Sequence, residues 1–203
     1  MSPEVFQQRV RGGSRPSQGL QVEDLLRGAR LPAVLAERLQ VLGASSGASR
    51  MTGGQSFIQP SVVAFGPSLA AAFYRCRTHE KKIGAAVTTD AGAAWSEPKT
   101  LSLPNPDAGL DALLLSDQRI LLAFNDSPVN RETLRLAVSI DRGDHWTRIA
   151  TLESAVGIEF SYPYMIRTQD GRIHLVYTWD RKRIQHVVFN DAWLDAQMKG
   201  TIK

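Results

Sequence analysis

The chain has 203 residues and carries 24 Lys and Arg against 20 Asp and Glu, a formal net charge of +4. Its single cysteine, Cys76, excludes an internal disulfide and a cysteine-based zinc cluster. No apolar run approaches the ~18 residues that a membrane-crossing helix needs, and Met1 to Gln8 leads into Arg and Gly rather than into the apolar stretch of a secretory signal.

Charge and aromatic content divide the chain near residue 50. Residues 1–50 hold seven Arg and four acids, a net +3, whereas residues 51–203 hold 17 bases and 16 acids, a net +1. The larger part is nearly neutral, which argues against a nucleic-acid surface. Fourteen of the 15 aromatic residues follow residue 50, so a core-forming composition begins there. Residues 1–55 therefore read as an N-terminal tail. Its acid-poor start, with Arg9, Arg11 and Arg15, suits either an organelle transit peptide or a disordered basic tail. Residues 9–19 have almost nothing to bury and read as disordered. Apolar spacing over 20–42, interrupted at Pro32, predicts one or two short amphipathic helices. The small and polar stretch 43–55 reads as a linker.

From residue 56 a repeat takes over. PSVVAFGPSLAAAFYR starts at Pro60, DALLLSDQRILLAFND at Asp111 and PYMIRTQDGRIHLVYTW at Pro163, offsets of 51 and 52. A second landmark keeps the period: TTDAGAAW at 88–95 and SIDRGDHW at 139–146 place Asp90 and Asp141, and Trp95 and Trp146, 51 residues apart. Two independent landmarks on one period identify a structural repeat. The predicted strands are 60–65, 69–74, 83–88 and 95–102, then 110–115, 119–125, 133–139 and 146–151, then 163–168, 172–178 and 184–189, with the outer strand of the third set unassigned. Four short antiparallel strands per ~50 residues is the arithmetic of a β-propeller blade. The fold class is thus all-β: a partial propeller of about three blades over 56–194, followed by a C-terminal tail at 195–203.

The Ser/Thr-x-Asp-x-Gly-x-x-Trp motif belongs between the third and fourth strands of a blade. Its Asp is suited to accept backbone N–H groups in the turn, its Gly to take positive φ, and its Trp to open the outer strand beneath the turn. The aspartates are accordingly read as turn-stabilising rather than catalytic. His174 and His186 read as packed strand residues.

These motifs resemble the Asp-boxes, or BNR repeats, of the sialidase superfamily, whose fold is a six-bladed propeller. The segments QPSVV, PNPDAGLDAL and FSYPYMIRTQDGRIHLVYTW are similar to those of sialidase-related BNR-repeat proteins, and the chain matches roughly the C-terminal half of that fold. The resemblance implies a glycosidase in which arginines clamp the carboxylate of an acidic sugar, a Tyr is the nucleophile beside a Glu, and an Asp supplies acid/base chemistry. Guanidinium groups suit a carboxylate because they donate paired hydrogen bonds and stay charged. By the resemblance, Arg75 and Arg131 are carried over as substrate-binding arginines and Tyr162, in FSYP, as the nucleophile. Gln59 stands where the family has its Glu and cannot deprotonate a phenol, so Asp111 or Glu159 takes that role. The family's first arginine and its acid/base Asp have no counterpart in this sequence; Arg30-Leu31-Pro32 is only superficially similar to the family's Arg-Ile-Pro. The expected ligand is a glycan or sugar acid, with no cofactor and no metal. Three blades cannot close a ring, so self-association through open propeller edges is expected. A carbohydrate-binding or interaction module without turnover, or an inactive truncated propeller, is the alternative.

Overall fold

The computed structural model describes residues 6–8 and 56–201. The disordered stretch, helices and linker expected between residues 9 and 55 lie outside the described residues.

Among the described residues, twelve strands form three four-stranded antiparallel sheets, each a blade. Blade one is β2 (Phe57–Ala64), β3 (Ala70–Cys76), β4 (Lys82–Thr88) and β5 (Lys99–Pro104), in that order from inside out. Blade two is β6 (Asp111–Leu114), β7 (Ile120–Asn125), β8 (Thr133–Ser139) and β9 (Thr147–Ser154). Blade three is β10 (Phe160–Arg167), β11 (Ile173–Trp179) and β12 (Arg183–Phe189), and its outer strand is β1 (Phe6–Gln8) from the chain's beginning. Residues 6–8, read from sequence as tail, thus complete the blade whose outer strand was unassigned, with Phe6 opposite Val188 and Gln8 opposite His186.

Blade two is the middle layer. Its alternating side chains serve both neighbours, which explains why β7 is buried at every position. Ile120, Leu122, Phe124 and Ala137 pack with Val63, Phe73, Ile83 and Leu103 of blade one. Leu121, Ala123, Leu136 and Val138 pack with Met165, Leu175, Tyr177 and Val187 of blade three. Consecutive residues of one strand thus feed two interfaces, as a period of two dictates.

Both Asp-box turns are built as their residue types require. Asp141 Oδ1 accepts from the His145 N–H at 2.9 Å and from Ser139 Oγ at 2.8 Å, while Ser139 Oγ accepts from the Gly143 N–H at 2.8 Å. Asp90, Thr88, Gly92 and Ala94 repeat the arrangement in blade one. Gly92 and Gly143 have φ of 89° and 99°. Trp146 donates its indole N–H to the Gly143 carbonyl at 2.9 Å and meets Phe73 edge-on at 5.5 Å, directly before β9. Trp95 departs from the expectation: β5 opens at Lys99, not at residue 95. Pro98 lacks the N–H that pairing needs, and Ser96 instead ties the segment to β4, its hydroxyl accepting from the Val87 N–H and its N–H donating to the Val87 carbonyl.

The C-terminal tail also departs from the reading. Residues Asp191–Thr201 form helix α1. Asn190 caps it by accepting from the Trp193 N–H at 2.9 Å, Arg167 grips Asp191 with two hydrogen bonds of 3.1 and 2.6 Å, and Leu194 is fully buried in the core between blades two and three. Among the described residues no helix is long and apolar enough to cross a membrane.

Candidate functional site

The inner strands β2, β6 and β10 begin side by side and line a cavity of about 570 Å³. Two of them open alike. Gln59 and Tyr162 each precede a proline, each has positive φ (50° and 53°), and each sits where the ladder to the second strand slips register. A non-glycine residue held left-handed costs roughly 1–3 kcal/mol. Bulges of this kind re-aim a side chain, and here they turn Gln59 and Tyr162 into the cavity, where Tyr162 is half exposed.

Tyr162 is seated by three contacts. A Cβ on Gly109 would lie 2.9 Å from its ring, so only glycine leaves room for the ring in this position. The Arg131 guanidinium stands 5.4 Å from the ring centroid. Beside the hydroxyl, Arg131 and then Arg75, by hydrogen bonding and charge, hold the phenol below the ordinary tyrosine pKa.

The arginines have carboxylate partners of their own. Arg131 donates from Nη1 to Glu159 Oε1 at 3.0 Å and from Nη2 to the Asp107 carbonyl at 3.0 Å. Arg75 Nε is 3.0 Å from Asp107 Oδ1, and Arg77 Nε is 3.6 Å from Asp107 Oδ2. Glu159 also takes Arg181 and a hydrogen bond from Ser161. Partial burial pushes the Glu159 carboxyl up, but the bonds from Ser161, Arg181 and Arg131 outweigh it and keep it below the usual range.

Asp111 is engaged differently. Its Oδ1 accepts from Ser61 Oγ at 2.8 Å and its Oδ2 from the Met165 N–H at 2.6 Å, while Ser61 Oγ accepts from the Ala112 N–H. One carboxylate thereby joins the inner strands of all three blades. Burial pushes its pKa up despite these bonds.

The structure thus gathers Arg75, Arg131, Glu159 and Tyr162 into one cluster and puts Gln59 and Asp111 on the cavity side of Tyr162. Sequence reasoning missed Asp107 and Gly109. Both lie in the PNPDAGLDAL segment, where Asn105 holds the loop through its side chain, accepting from the Ala108 N–H at 2.8 Å and donating to the Ala108 carbonyl at 2.9 Å. The Asn-Pro-Asp run favours a turn, but what the turn presents depends on residues of all three blades.

The pattern of the BNR repeat-like domain matches residues 28–175, which is most of the chain. The protein belongs to the BNR repeat-like domain family. A comparison with curated proteins finds no match. Among solved structures, this BNR-repeat chain is similar to a K499G mutant of the NanB sialidase of Streptococcus pneumoniae (13% identity, TM-score 0.57, 70% of this chain and 24% of that one). It is also similar to an α-L-arabinanase of Penicillium chrysogenum complexed with arabinobiose (17%, 0.54, 68% and 47%) and to the α-L-arabinofuranosidase Arb93A of Fusarium graminearum (12%, 0.53, 68% and 46%). At these identities the likeness is one of fold, the sialidase-like propeller. The chain spans about a quarter to a half of the length of these structures.

Proposed function

We propose that the BNR-repeat chain carries part of a sialidase-like glycosidase site that takes an acidic sugar, with Arg75 and Arg131 as the carboxylate clamp, Gln59 at the substrate wall and Tyr162 as the nucleophile. The observation that carries this reading is the Arg131 guanidinium 5.4 Å from the centroid of the cavity-lining Tyr162 ring, with Arg75 beside it on Asp107. They favour the phenolate, and a phenolate oxygen is what would bond to the anomeric carbon as the glycosidic C–O bond breaks. Of the two carboxylates considered as base, Glu159 is tied to the Tyr162 cluster through Arg131, whereas both oxygens of Asp111 are taken by the inner strands. Asp111 or Glu159 would take the phenol proton; the leaving oxygen needs a proton from an acid that residues 56–203 do not supply by resemblance.

That shortfall, with Gln59 in place of a glutamate, favours a second reading in which the chain binds an acidic glycan without turning it over. The two are separated by one pair of measurements. Isothermal titration with N-acetylneuraminic acid should show binding that Arg131→Ala abolishes. Hydrolysis of a chromogenic sialoside by this chain should be absent or weak, since a missing positioned acid or base costs ~10²–10⁴-fold. Robust turnover lost in Tyr162→Phe would establish the enzyme; no binding at all would reject both readings. Self-association through the outer faces of blades one and three belongs to the same proposal.

A further inference from the structure

We propose that Asp107 is a specificity-determining residue whose carboxylate occupies Arg75, one of the two guanidinium groups that a substrate carboxylate would use, so that an acidic sugar gains Arg75 only by displacing it. The inference rests on the reading of Arg75 and Arg131 as a carboxylate clamp. Three arginines converge on this one residue: Arg75 and Arg77 on its side chain and Arg131 on its carbonyl. Asp107 is placed there by the backbone, at φ 62° in the loop that Asn105 fixes.

The contact with Arg75 is close but not aligned. Arg75 Nε and Asp107 Oδ1 are both buried, lie 3.0 Å apart, and yet neither makes a hydrogen bond. A charge pair without aligned N–H···O geometry forgoes the part that makes guanidinium–carboxylate contacts strong. A ligand carboxylate free to adopt the paired geometry has that part to gain. The other end is also loose, since Arg77 reaches Oδ2 at 3.6 Å from an exposed position. By contrast, Arg131 makes two aligned hydrogen bonds, so displacement at Asp107 frees Arg75 and Arg77 without disturbing the Arg131 contact to the Asp107 carbonyl. An internal carboxylate in this place discriminates: a neutral sugar has nothing with which to displace it, and an acidic sugar must outcompete it.

Asp107→Asn removes the charge and keeps the shape, and Asn is at home in the left-handed region. Titration of the full chain with N-acetylneuraminic acid and with its methyl ester tests the proposal. Asp107→Asn should bind the free acid about tenfold or more tightly than the unaltered chain, because two guanidinium groups lose their internal partner, and should bind the ester unchanged. Equal affinities for the acid overturn the inference and leave the clamp standing. If neither chain binds the acid, the clamp reading fails and the inference falls with it. A second measurement needs no variant: the Asp107 carboxyl carbon resonance of the unaltered chain should shift on adding the acid and not the ester, and an unmoved resonance overturns displacement.

Discussion

Tyr162 and Asp111 sit on the same cavity, yet their surroundings push their acidities in opposite directions. Guanidinium neighbours lower the Tyr162 phenol, whereas burial raises Tyr74 and, together with the carboxylate of Glu153, Tyr177. In an ultraviolet pH titration Tyr162 should therefore ionise before Tyr74 and Tyr177, and Tyr162→Phe should delete that early step while leaving theirs. A Tyr162→Phe titration that loses no step ahead of Tyr74 and Tyr177 would mean that the arginines do not act on this phenol. Asp111 behaves as a strut. Replacing it with Ala leaves the Met165 N–H without its acceptor and Ser61 Oγ with only the Ala112 carbonyl at 3.4 Å, and hydrogen bonds to a charged group are worth about 1.5–3 kcal/mol. Denaturant unfolding of Asp111→Ala should show a loss of that size. Because the folded-state pKa of Asp111 is raised, its own ionisation works against the fold: the contribution is most favourable below the ordinary aspartate pKa and declines as pH rises through the folded value.

The Asp-box turn is an element with a pH signature of the opposite sign. The His145 N–H, and after it the His145 ring and Ser139, bring the Asp141 carboxyl from 3.8 down to about 2. The stabilisation this turn draws from the charge is complete above the ordinary aspartate pKa and is lost as pH falls toward about 2. Asp141→Ala should cost about 1 kcal/mol near neutrality, discounted for the exposure of the group, and its melting midpoint should converge with that of the unaltered chain as the solution is acidified. These turns were legible in the sequence because everything that makes them lies within eight residues: hydroxyl, carboxylate, glycine and tryptophan at fixed offsets. The inner and middle strands were legible for the same reason, as apolar runs on one period. Strand β1 was not, because three residues carry no periodicity and their partner is β12 at the far end of the chain. Helix α1 was not, because what fixes it is the seating of Leu194 in a core made by other strands. Among the site residues, the family pattern marked Arg75, Arg131 and Tyr162, while Asp107 stands out only through its contacts with three arginines drawn from two blades.

At the scale of the whole molecule, the alternation that buries one face of blade three exposes the other. Met165, Leu175 and Val187 lie cross-strand from one another and are buried against blade two. The intervening rows carry Tyr164, Ile166 and Ile184, exposed by 61%, 46% and 57%, beside the stacked rings of His174 and His186. Blade one likewise exposes Val62 and Val87. Apolar rows of this kind mark an interface, so light scattering should find assemblies of at least two chains, and Ile166→Lys combined with Ile184→Lys should return them to monomers. A monomeric unaltered chain would overturn the expectation.

The pairing of β1 with β12 also sets a timetable. Phe6 leaves the ribosome 182 positions ahead of its partner Val188. At elongation rates of ~5–20 residues per second that gap is roughly 10–40 s. For that interval β12 does not exist, and β1 has no edge to join. Blades one and two are each made from contiguous sequence and can assemble as they emerge, whereas blade three can be finished only after translation of its last hairpin, so nascent chains halted before residue 183 should protect the first two blades from proteolysis and leave β1 cleavable.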